Sequence, residues 1–441
     1  MKSEIKVCQN CKNDFTIEPD DFSFYEKIKV PPPTFCPKCR LIRRFASTNE
    51  RVLYKSKCDF SGDDIFSMYP EGTLFPVYDR DIWYSDKWDP YKYGMDYDFS
   101  RSFFEQFMEL QNKVPRMSLV KQRMSVNSPY THRVDDMKNC YMVFRTTRGN
   151  DSMYVYISKD IFNCVDCFSI TECELCYECV DCDKCYMTKY SQESKECRNC
   201  YFMYGCRNCS DCVGCVNLVN QQYFIFNQKY SKEEYFNKIE ELKLNTIFGL
   251  EYMDRKFKEF KKKFPQRAVI SLKTESVSGN WFTNSKNVKE SFWCINVKDG
   301  KYLFAIFDSQ DCMDYFQWGN SCELVYESEN VGINSSKISF CTQCWVGSHD
   351  LYYCHSCVSS SNCFGCMGLK KGEYSILNKK YAKGEYEEMI PKIIKQMKEI
   401  PYIDKRGIEY RFGEHFPNDL SDFAYNETAA VDFFPLTKEI I

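Results

Sequence analysis

Cysteine is the residue type in this sequence that is best placed to do chemistry. The chain of 441 residues contains 28 cysteines and only four histidines. Two C-x-x-C pairs lie near the N-terminus, and the second pair directly follows the extended stretch VPPPTF. Each pair can sit in a tight turn that points both sulfurs at one ion, and four thiolates suit tetrahedral zinc. The pattern therefore predicts one zinc ion held by Cys8, Cys11, Cys36 and Cys39.

The densest cysteine run is CELCYECVDCDKC, residues 173–185, in which every third position from Cys173 is a cysteine. A metal site, a redox device and a structural ladder each explain this spacing. Cysteines along this region also recur nine residues apart, which predicts a stack of short turns with cysteine as a small interior side chain. We favour the ladder and keep further metal ions as an alternative. The candidate additional ligands are Cys206, Cys215, Cys357 and Cys366.

The middle of the chain contains an internal repeat. The segment from Cys212 matches the segment from Cys363 at a constant offset of 151, and 12 of 24 positions are identical. Each copy begins and ends with a helical pattern, and short strand-like segments lie between these helices. The dense cysteine run aligns with residues 324–336, which contain no cysteine. An interior side chain is replaced more easily than a metal ligand, so the repeat favours the ladder.

These patterns predict a mainly β fold with flanking helices, in the α+β class. We expect a four-cysteine treble-clef or zinc-ribbon module at 1–57 and an acidic, aromatic connector at 58–100. Two cysteine-rich, β-solenoid-like repeats, each bracketed by helices, are expected at 101–250 and 251–401. An aromatic strap at 402–441 then packs on the body.

Charge places the candidate nucleic-acid contact in one short stretch. The net charge of -3 gives no general attraction to nucleic acid or to an anionic membrane. Arg40, Arg43, Arg44 and Arg51 follow the second cysteine pair on one predicted helix face, which suits contact with the phosphates of a nucleic acid or nucleoprotein. The alternative is a solvated face, or pairing with carboxylates of the acidic connector.

A protein partner is the other binding class that the sequence suggests. Trp83, Tyr84, Trp88 and Tyr91 lie in the acidic connector, where they form either an exposed interaction surface or a buried strap. An enzyme alternative is a thiol oxidoreductase that uses a C-x-x-C pair. The sequence contains no zincin helix, nucleophile elbow, phosphate loop or dinucleotide fingerprint. We therefore predict no catalytic residue and no nucleotide cofactor.

The sequence gives no sign of export or membrane insertion. The N-terminus, MKSEIKVCQNC, lacks the apolar core of a signal peptide, and no apolar run approaches the roughly 20 residues of a membrane span. We expect a cytoplasmic protein without a membrane partner. Cysteines in such a reducing compartment are thiols or metal ligands more often than disulfides.

Several longer motifs extend over most of the chain. They are CQNC, VPPPTFCPKCRLIRR, NERVLYKSKCDFSGDDIFSMY, WYSDKWDPYKYG, DFSRSFFEQF, NCFGCMGL and FAYNETAAVDFFPLT. In these the sequence resembles a family of uncharacterised cysteine-rich proteins with zinc-ribbon-like ends from reduced-genome, candidate-phyla bacteria. The resemblance implies zinc at Cys8, Cys11, Cys36 and Cys39 and implies no activity. We expect a zinc-binding, non-catalytic binding or scaffold protein.

Overall fold

The structure is a computed structural model of the chain, and its fold is mixed α/β with more strand than helix. It describes residues 2–123, 125–297, 304–307, 309–310, 322–323, 326–328 and 334–436. Within these ranges, none of the helices combines the length and apolar character that crossing a membrane requires. The helices are α1 (Pro19–Lys27), α2 (Pro37–Phe45), α3 (Arg80–Tyr84), α4 (Phe103–Gln111), α5 (Lys232–Leu242), α6 (Ile247–Lys261), α7 (Lys383–Glu399) and α8 (Ala430–Phe433).

The N-terminal region contains two similar antiparallel hairpins, β1–β2 and β3–β4. The first hairpin leads through α1 to the extended prolines and then to α2. Pro37 is the first residue of α2, where its missing N–H costs nothing and its fixed φ suits a helix. The strands of this region are β1 (Glu4–Val7), β2 (Asp14–Ile17), β3 (Tyr54–Lys57), β4 (Asp64–Ser67) and β5 (Val77–Tyr78).

The aromatic connector packs into the core. Trp83 and Trp88 are buried, and both indole N–H groups have partners. Trp83 donates to the carbonyl of Pro115 at 3.0 Å, and Trp88 donates to the carbonyl of Trp83 at 2.8 Å. Tyr84 and Tyr91 are half-buried. Of the two alternatives for these aromatic residues, the burial of both tryptophans favours the buried strap.

Residues 116–229 form the first β-rich stretch, which α4 precedes and α5 follows. The predicted apolar face of α4 is confirmed, since Phe103, Phe107 and Leu110 are buried. The strands are β6 (Arg116–Met117), β7 (Ser125–Val126), β8 (Thr131–His132), β9 (Asp135–Lys138), β10 (Tyr141–Asn150), β11 (Met153–Phe162), β12 (Val165–Phe168), β13 (Thr171–Glu174), β14 (Arg198–Tyr201), β15 (Ser210–Val213), β16 (Gln222–Ile225) and β17 (Gln228–Lys229).

From Ser125 onward, parallel pairing in this stretch has a constant register of twelve residues. Arg198 pairs with Ser210, which pairs with Gln222, and the run of isolated bridges from Val165 to Val219 keeps the same step. The chain therefore returns to its own edge every twelve residues, at the roughly 4.8 Å spacing of a sheet. The predicted period of nine is wrong. A spacing of nine residues occurs instead between a thiol and a backbone carbonyl: the Cys164 thiol donates to the carbonyl of Cys173 at 3.1 Å.

Each twelve-residue layer consists of four triplets with one conformation. Every third residue has positive φ, as at Leu175, Glu178 and Asp181, and the residue that follows it is buried. The left-handed residue bends the chain and gives its N–H to the layer before, as Asp181 does to the carbonyl of Phe168 at 3.1 Å. This triplet rule places the cysteines of residues 173–185 inside.

The described residues between 271 and 380 form a second β-rich stretch that lies between α6 and α7. Its β25 and β27 correspond to β14 and β16 of the first stretch at the offset that joins Cys212 to Cys363 in the sequence. The tandem duplication itself stays a prediction, and parts of residues 324–336 lie outside the described residues. The strands are β18 (Ser271–Leu272), β19 (Glu275–Thr283), β20 (Lys286–Ile295), β21 (Phe304–Phe307), β22 (Ser309–Gln310), β23 (Cys322–Glu323), β24 (Ser336–Ser339), β25 (His349–Tyr352), β26 (Ser361–Phe364), β27 (Glu373–Ile376) and β28 (Lys379–Lys380).

The C-terminal segment returns to the N-terminal region. It contains the short hairpin β29 (Tyr402–Ile403) and β30 (Glu409–Tyr410), followed by α8. Tyr410 packs against Phe35 with ring centroids 5.7 Å apart, and Phe433 stacks on Phe45 at 5.1 Å. The last residues of the chain that the structure describes therefore cover both ends of α2.

Candidate metal centre

Four cysteine side chains converge at the N-terminal end of α2. The sulfurs of Cys8, Cys11, Cys36 and Cys39 all lie within 4.8 Å of one another. Among the described residues, this is the one group of three or more cysteine, histidine, aspartate or glutamate side chains close enough to share an ion. The sequence spacing alone predicted these four ligands, and the structure brings them together.

Local backbone geometry positions each half of the cluster. Cys8 directly follows β1, and its N–H donates to the carbonyl of Asn13 at 2.9 Å across the turn. Lys12 has a φ of 61°, and its N–H returns to the carbonyl of Cys8 at 3.0 Å. Cys36 is the N-cap of α2, and Cys39 lies in its first turn. The hairpin turn and the helix start thus present two sulfurs each.

The distances suit a tetrahedral ion. The sulfurs of Cys11 and Cys36 are 3.7 Å apart, which is the separation expected of two ligands about 2.3 Å from one zinc ion. The N–H of Cys36 donates to the sulfur of Cys8 at 3.2 Å, and the side-chain amide of Asn10 donates to the sulfur of Cys39 at 3.3 Å. Such donors stabilise thiolates, as does the positive end of α2.

The pKa values of the Cys8 and Cys39 thiols shift in opposite directions. Burial raises the pKa of the Cys8 thiol, but hydrogen bonds from the backbone of Cys36, Cys11 and Asn10 outweigh burial and lower the pKa to about 7. Burial raises the pKa of Cys39 despite its hydrogen bond from Asn10. Full ionisation therefore needs a positive charge between the sulfurs, and four sulfur ligands in a closed site suit a structural zinc ion.

The arginines of α2 are buried, which overturns the expectation that they contact phosphate. Arg40, Arg43 and Arg44 lie in the interior and face two carboxylates from distant parts of the chain. Arg43 donates to Glu327 at 2.6 Å and lies 3.3 Å from Glu414. Arg40 and Arg44 lie 3.7 and 3.9 Å from Glu327. An external polyanion has no access to these three guanidinium groups.

Burial raises the pKa of Glu327, and the guanidinium groups of Arg43, Arg40 and Arg44 oppose that shift. Burial lowers the pKa of Arg43, but Glu327 and Glu414 outweigh it and raise the pKa above its ordinary value. The acidic connector, which the sequence suggested as the source of the carboxylates, supplies neither. Glu327 lies in the second β-rich stretch and Glu414 in the C-terminal segment. No spacing rule links a single glutamate to an arginine 284 residues away, so the sequence could not identify this cluster.

Arg51 lies nearer the surface than the other three arginines. Its side chain is 46% exposed, and its guanidinium pairs with Asp432 at 2.5 Å. It also stacks over the ring of Tyr156, 5.1 Å from the centroid. Arg51 therefore joins the C-terminal segment to the first β-rich stretch, and its expected phosphate contact is replaced by these internal partners.

The four additional candidate ligands face backbone carbonyls. Cys206 donates to the carbonyl of Cys215 at 3.5 Å, and Cys357 donates to that of Cys366 at the same distance. Cys215 and Cys366 bond in the same way to the carbonyls of Phe224 and Ser375. Within the part of the chain that the structure describes, these sulfurs do not enter any group of three or more metal-ligating side chains.

Comparison with known proteins adds no identification. The chain matches no protein-family model, and it matches no curated protein. The resemblance to cysteine-rich proteins of candidate-phyla bacteria therefore stays a prediction. The four-cysteine cluster and its surroundings are the features of the chain that bear on its function.

Proposed function

We propose that this chain is a zinc-binding, non-catalytic scaffold protein in which the ion organises the contact between distant segments. The observation that carries the proposal is the four-sulfur cluster at the start of α2, directly before the buried arginines. Cys36 and Cys39 begin the helix, and Arg40 and Arg43 occupy its next turn. An ion that fixes the first pair therefore also fixes the second.

The arginine cluster gives this anchoring its structural effect. Arg43 joins α2 to Glu327 of the second β-rich stretch and to Glu414 of the C-terminal segment. Leaving a buried charge without its partner costs about 3–5 kcal/mol. Loss of the ion would free the start of α2 and put these pairs at risk. Zinc would thus act on the assembly of three segments as well as on its own module.

The finer architecture belongs to the same proposal. The first module is proposed to be a treble clef or zinc ribbon, since a hairpin turn and a helix start hold the ligands. Parallel pairing of successive layers supports a β-solenoid for each cysteine-rich stretch. The register is twelve residues in the first stretch and varies from eleven to thirteen in the second. Strand bounds that recur at the offset of the sequence match support a tandem duplication of that unit.

A protein is the partner class that the exposed residues favour. Tyr141, Met153, Tyr154 and Phe162 are each more than 40% exposed on neighbouring layers of the first stretch. Aromatic and methionine side chains are enriched at protein interfaces. Arg40, Arg43 and Arg44 lie inside, and the exposed Arg51 is paired with Asp432, so the phosphate-binding alternative needs another surface. Titration with RNA and with DNA across salt concentrations separates the two classes, because phosphate contacts weaken steeply with salt.

Metal analysis of single-cysteine variants tests the zinc proposal. We expect about one zinc per chain in the wild-type protein, and its loss in the Cys36→Ser variant, because three remaining sulfurs do not close a tetrahedral site. Cys58→Ser is the matched control, since Cys58 is also buried at a hairpin turn but lies outside the cluster. Elemental analysis of the purified, folded variants provides the measurement.

Two outcomes would contradict the proposal. Several zinc ions per wild-type chain would return the interior cysteines to the role of ligands. Retention of a full zinc ion in Cys36→Ser, with loss in Cys58→Ser, would place the site elsewhere. Counting reactive thiols before and after unfolding adds an independent check, because the interior thiols should react only in the unfolded chain.

A further inference from the structure

We propose that residues 54–84 are a second module built on the same plan as the zinc module, in which hydrogen bonds to Cys58 replace the ion. The two modules share their hairpin, their turn, their long-range backbone contact and their helix start. They differ at three of the four ligand positions. Zinc binding by the first module rests on the proposed function, whereas the structural correspondence between the two modules does not.

The two hairpins have the same length and the same pairing register. Glu4 pairs with Ile17 in the first, and Tyr54 pairs with Ser67 in the second. Cys8 and Cys58 each follow the first strand directly. The N–H of Cys8 donates to the carbonyl of Asn13, and that of Cys58 donates to the carbonyl of Asp63, both at 2.9 Å.

The turns are also equivalent. Lys12 and Gly62 occupy the same left-handed position, with φ of 61° and 79°. Each returns its N–H to the cysteine carbonyl four residues earlier, at 3.0 and 2.8 Å. Glycine adopts this conformation without steric cost, whereas lysine does not. The second hairpin therefore keeps the turn that holds the first two sulfurs of the zinc module.

The second half of each module approaches its hairpin through the same two contacts. Gln9 N–H donates to the carbonyl of Thr34 at 3.0 Å, and Asp59 N–H donates to that of Val77 at 2.9 Å. Two residues later, Cys36 N–H donates to the sulfur of Cys8 at 3.2 Å. In the second module, Asp79 N–H donates to the sulfur of Cys58 at the same distance.

The helix start completes the correspondence. Cys36 is the N-cap of α2, and Asp79 is the N-cap of α3. The positions of Cys8, Cys11, Cys36 and Cys39 are thus taken by Cys58, Ser61, Asp79 and Ile82. Only the first of these is a thiol. The carboxylate of Asp79 is already used, since it accepts the N–H of Asp81 at 2.8 Å.

Hydrogen bonds and packing supply what the ion supplies in the first module. Burial raises the pKa of Cys58, but hydrogen bonds from the Ser61 hydroxyl and from the backbone of Asp79 outweigh it and lower the pKa. Trp83 is fully buried one residue after the fourth position and anchors α3. The second module therefore keeps its shape without metal.

Restoring three thiols should create a second metal site in the full chain. We expect the Ser61→Cys, Asp79→Cys, Ile82→Cys triple variant to bind one more zinc ion per chain than the wild type. The control adds Cys58→Ser to the triple variant and should lose that increment. Elemental analysis measures the zinc, and cobalt substitution reports tetrahedral thiolate ligation by its visible absorption.

The increment separates this inference from the proposed function. A gain of one ion supports it even where the wild type holds none. A folded triple variant with no gain would overturn it. Should the triple variant not fold, amide exchange of the wild-type chain in a chelator decides. We expect Cys8 and Lys12 to lose protection while Cys58 and Gly62 keep theirs, and equal loss in both hairpins would refute a metal-free module.

Discussion

Replacing Ser191 tests why the interior of the first β-rich stretch is built from cysteine, serine and threonine. Ser191 is fully buried. Its hydroxyl accepts the N–H of Met203, one layer on, at 3.2 Å, and donates to the carbonyl of Lys189 at 2.9 Å. The same N–H is accepted by sulfur elsewhere: Cys354 N–H donates to the sulfur of Cys341 at 3.2 Å. An inward hydroxyl or thiol can thus serve the next layer as an acceptor.

The Ser191→Ala variant should lose one hydrogen bond that nothing replaces. The Lys189 carbonyl stays paired, because it also accepts the N–H of Phe202 at 3.0 Å. The Met203 N–H becomes a buried donor without a partner, which costs about 1–3 kcal/mol. Since about 1.4 kcal/mol corresponds to a factor of ten, its amide should exchange roughly 5- to 150-fold faster. In Ser191→Cys the sulfur accepts instead, so exchange should stay closer to the wild-type rate.

Hydrogen exchange read at Met203 is the suitable assay, because a chain of this size need not unfold in one cooperative step. The two variants differ from each other by one sulfur atom at one position, so each is the control for the other. Equal exchange in wild type and Ser191→Ala would show that the Met203 N–H has another acceptor. Exchange in Ser191→Cys as fast as in Ser191→Ala would refute sulfur as the acceptor.

Two further predictions concern buried charge and acid. Glu327→Gln should lower the free energy of unfolding in urea by about 3–5 kcal/mol, because it removes the charged partner of buried guanidinium groups. The control is Asp64→Asn, at an exposed ion pair with Lys57, which should change the free energy of unfolding by less than about 1 kcal/mol. Burial lowers the pKa of His355 to about 4, so the unfolded state binds more protons below about pH 6.5, and stability should fall from there down to about pH 4 and level off below. His355→Gln should flatten the pH profile of the unfolding free energy by up to about 1.4 kcal/mol per pH unit, and an unchanged slope would contradict the assignment.

The zinc ligands were predictable because their information is local. Two residues in a turn and two at a helix start are set by spacing and by short-range geometry, and Pro37 marks the helix start in the sequence. The partners of the arginines were not predictable for the opposite reason. Arg43 and Glu327 meet only after the intervening stretch has folded, and one carboxylate among 62 acidic residues carries no mark of its partner.

The period of the cysteine ladder shows a different limit. Cysteines at every third position establish the triplet, and both nine and twelve are multiples of three. Contacts at nine residues exist, from many of the thiols to a carbonyl, as in Cys179 to Thr188 at 3.2 Å. Backbone pairing nevertheless uses twelve, because four triplets complete one layer. All four inward positions accept the same small side chains, so the sequence does not reveal how many there are.

The stretch CELCYECVDCDKC can now be explained by what one inward position demands. An inward thiol or hydroxyl can accept the N–H of the next layer and donate to a carbonyl, as Thr188 does to the carbonyl of Cys197 at 3.2 Å, although Val155 and Ile161 also occupy inward positions. An apolar surface is also favoured at an inward position, because the side chain there is shielded from solvent. Valine lacks the polar atoms, and serine has less apolar surface than cysteine. Within the run, hydrogen bonds with neighbouring thiols raise the pKa of Cys173, so that thiol keeps its proton for the carbonyl of Thr171, whereas they lower the pKa of Cys176 and Cys185. A metal ion would displace such protons. Among the described residues, the sulfurs of this run do not enter any group of three or more metal-ligating side chains, which favours the ladder over a metal cluster.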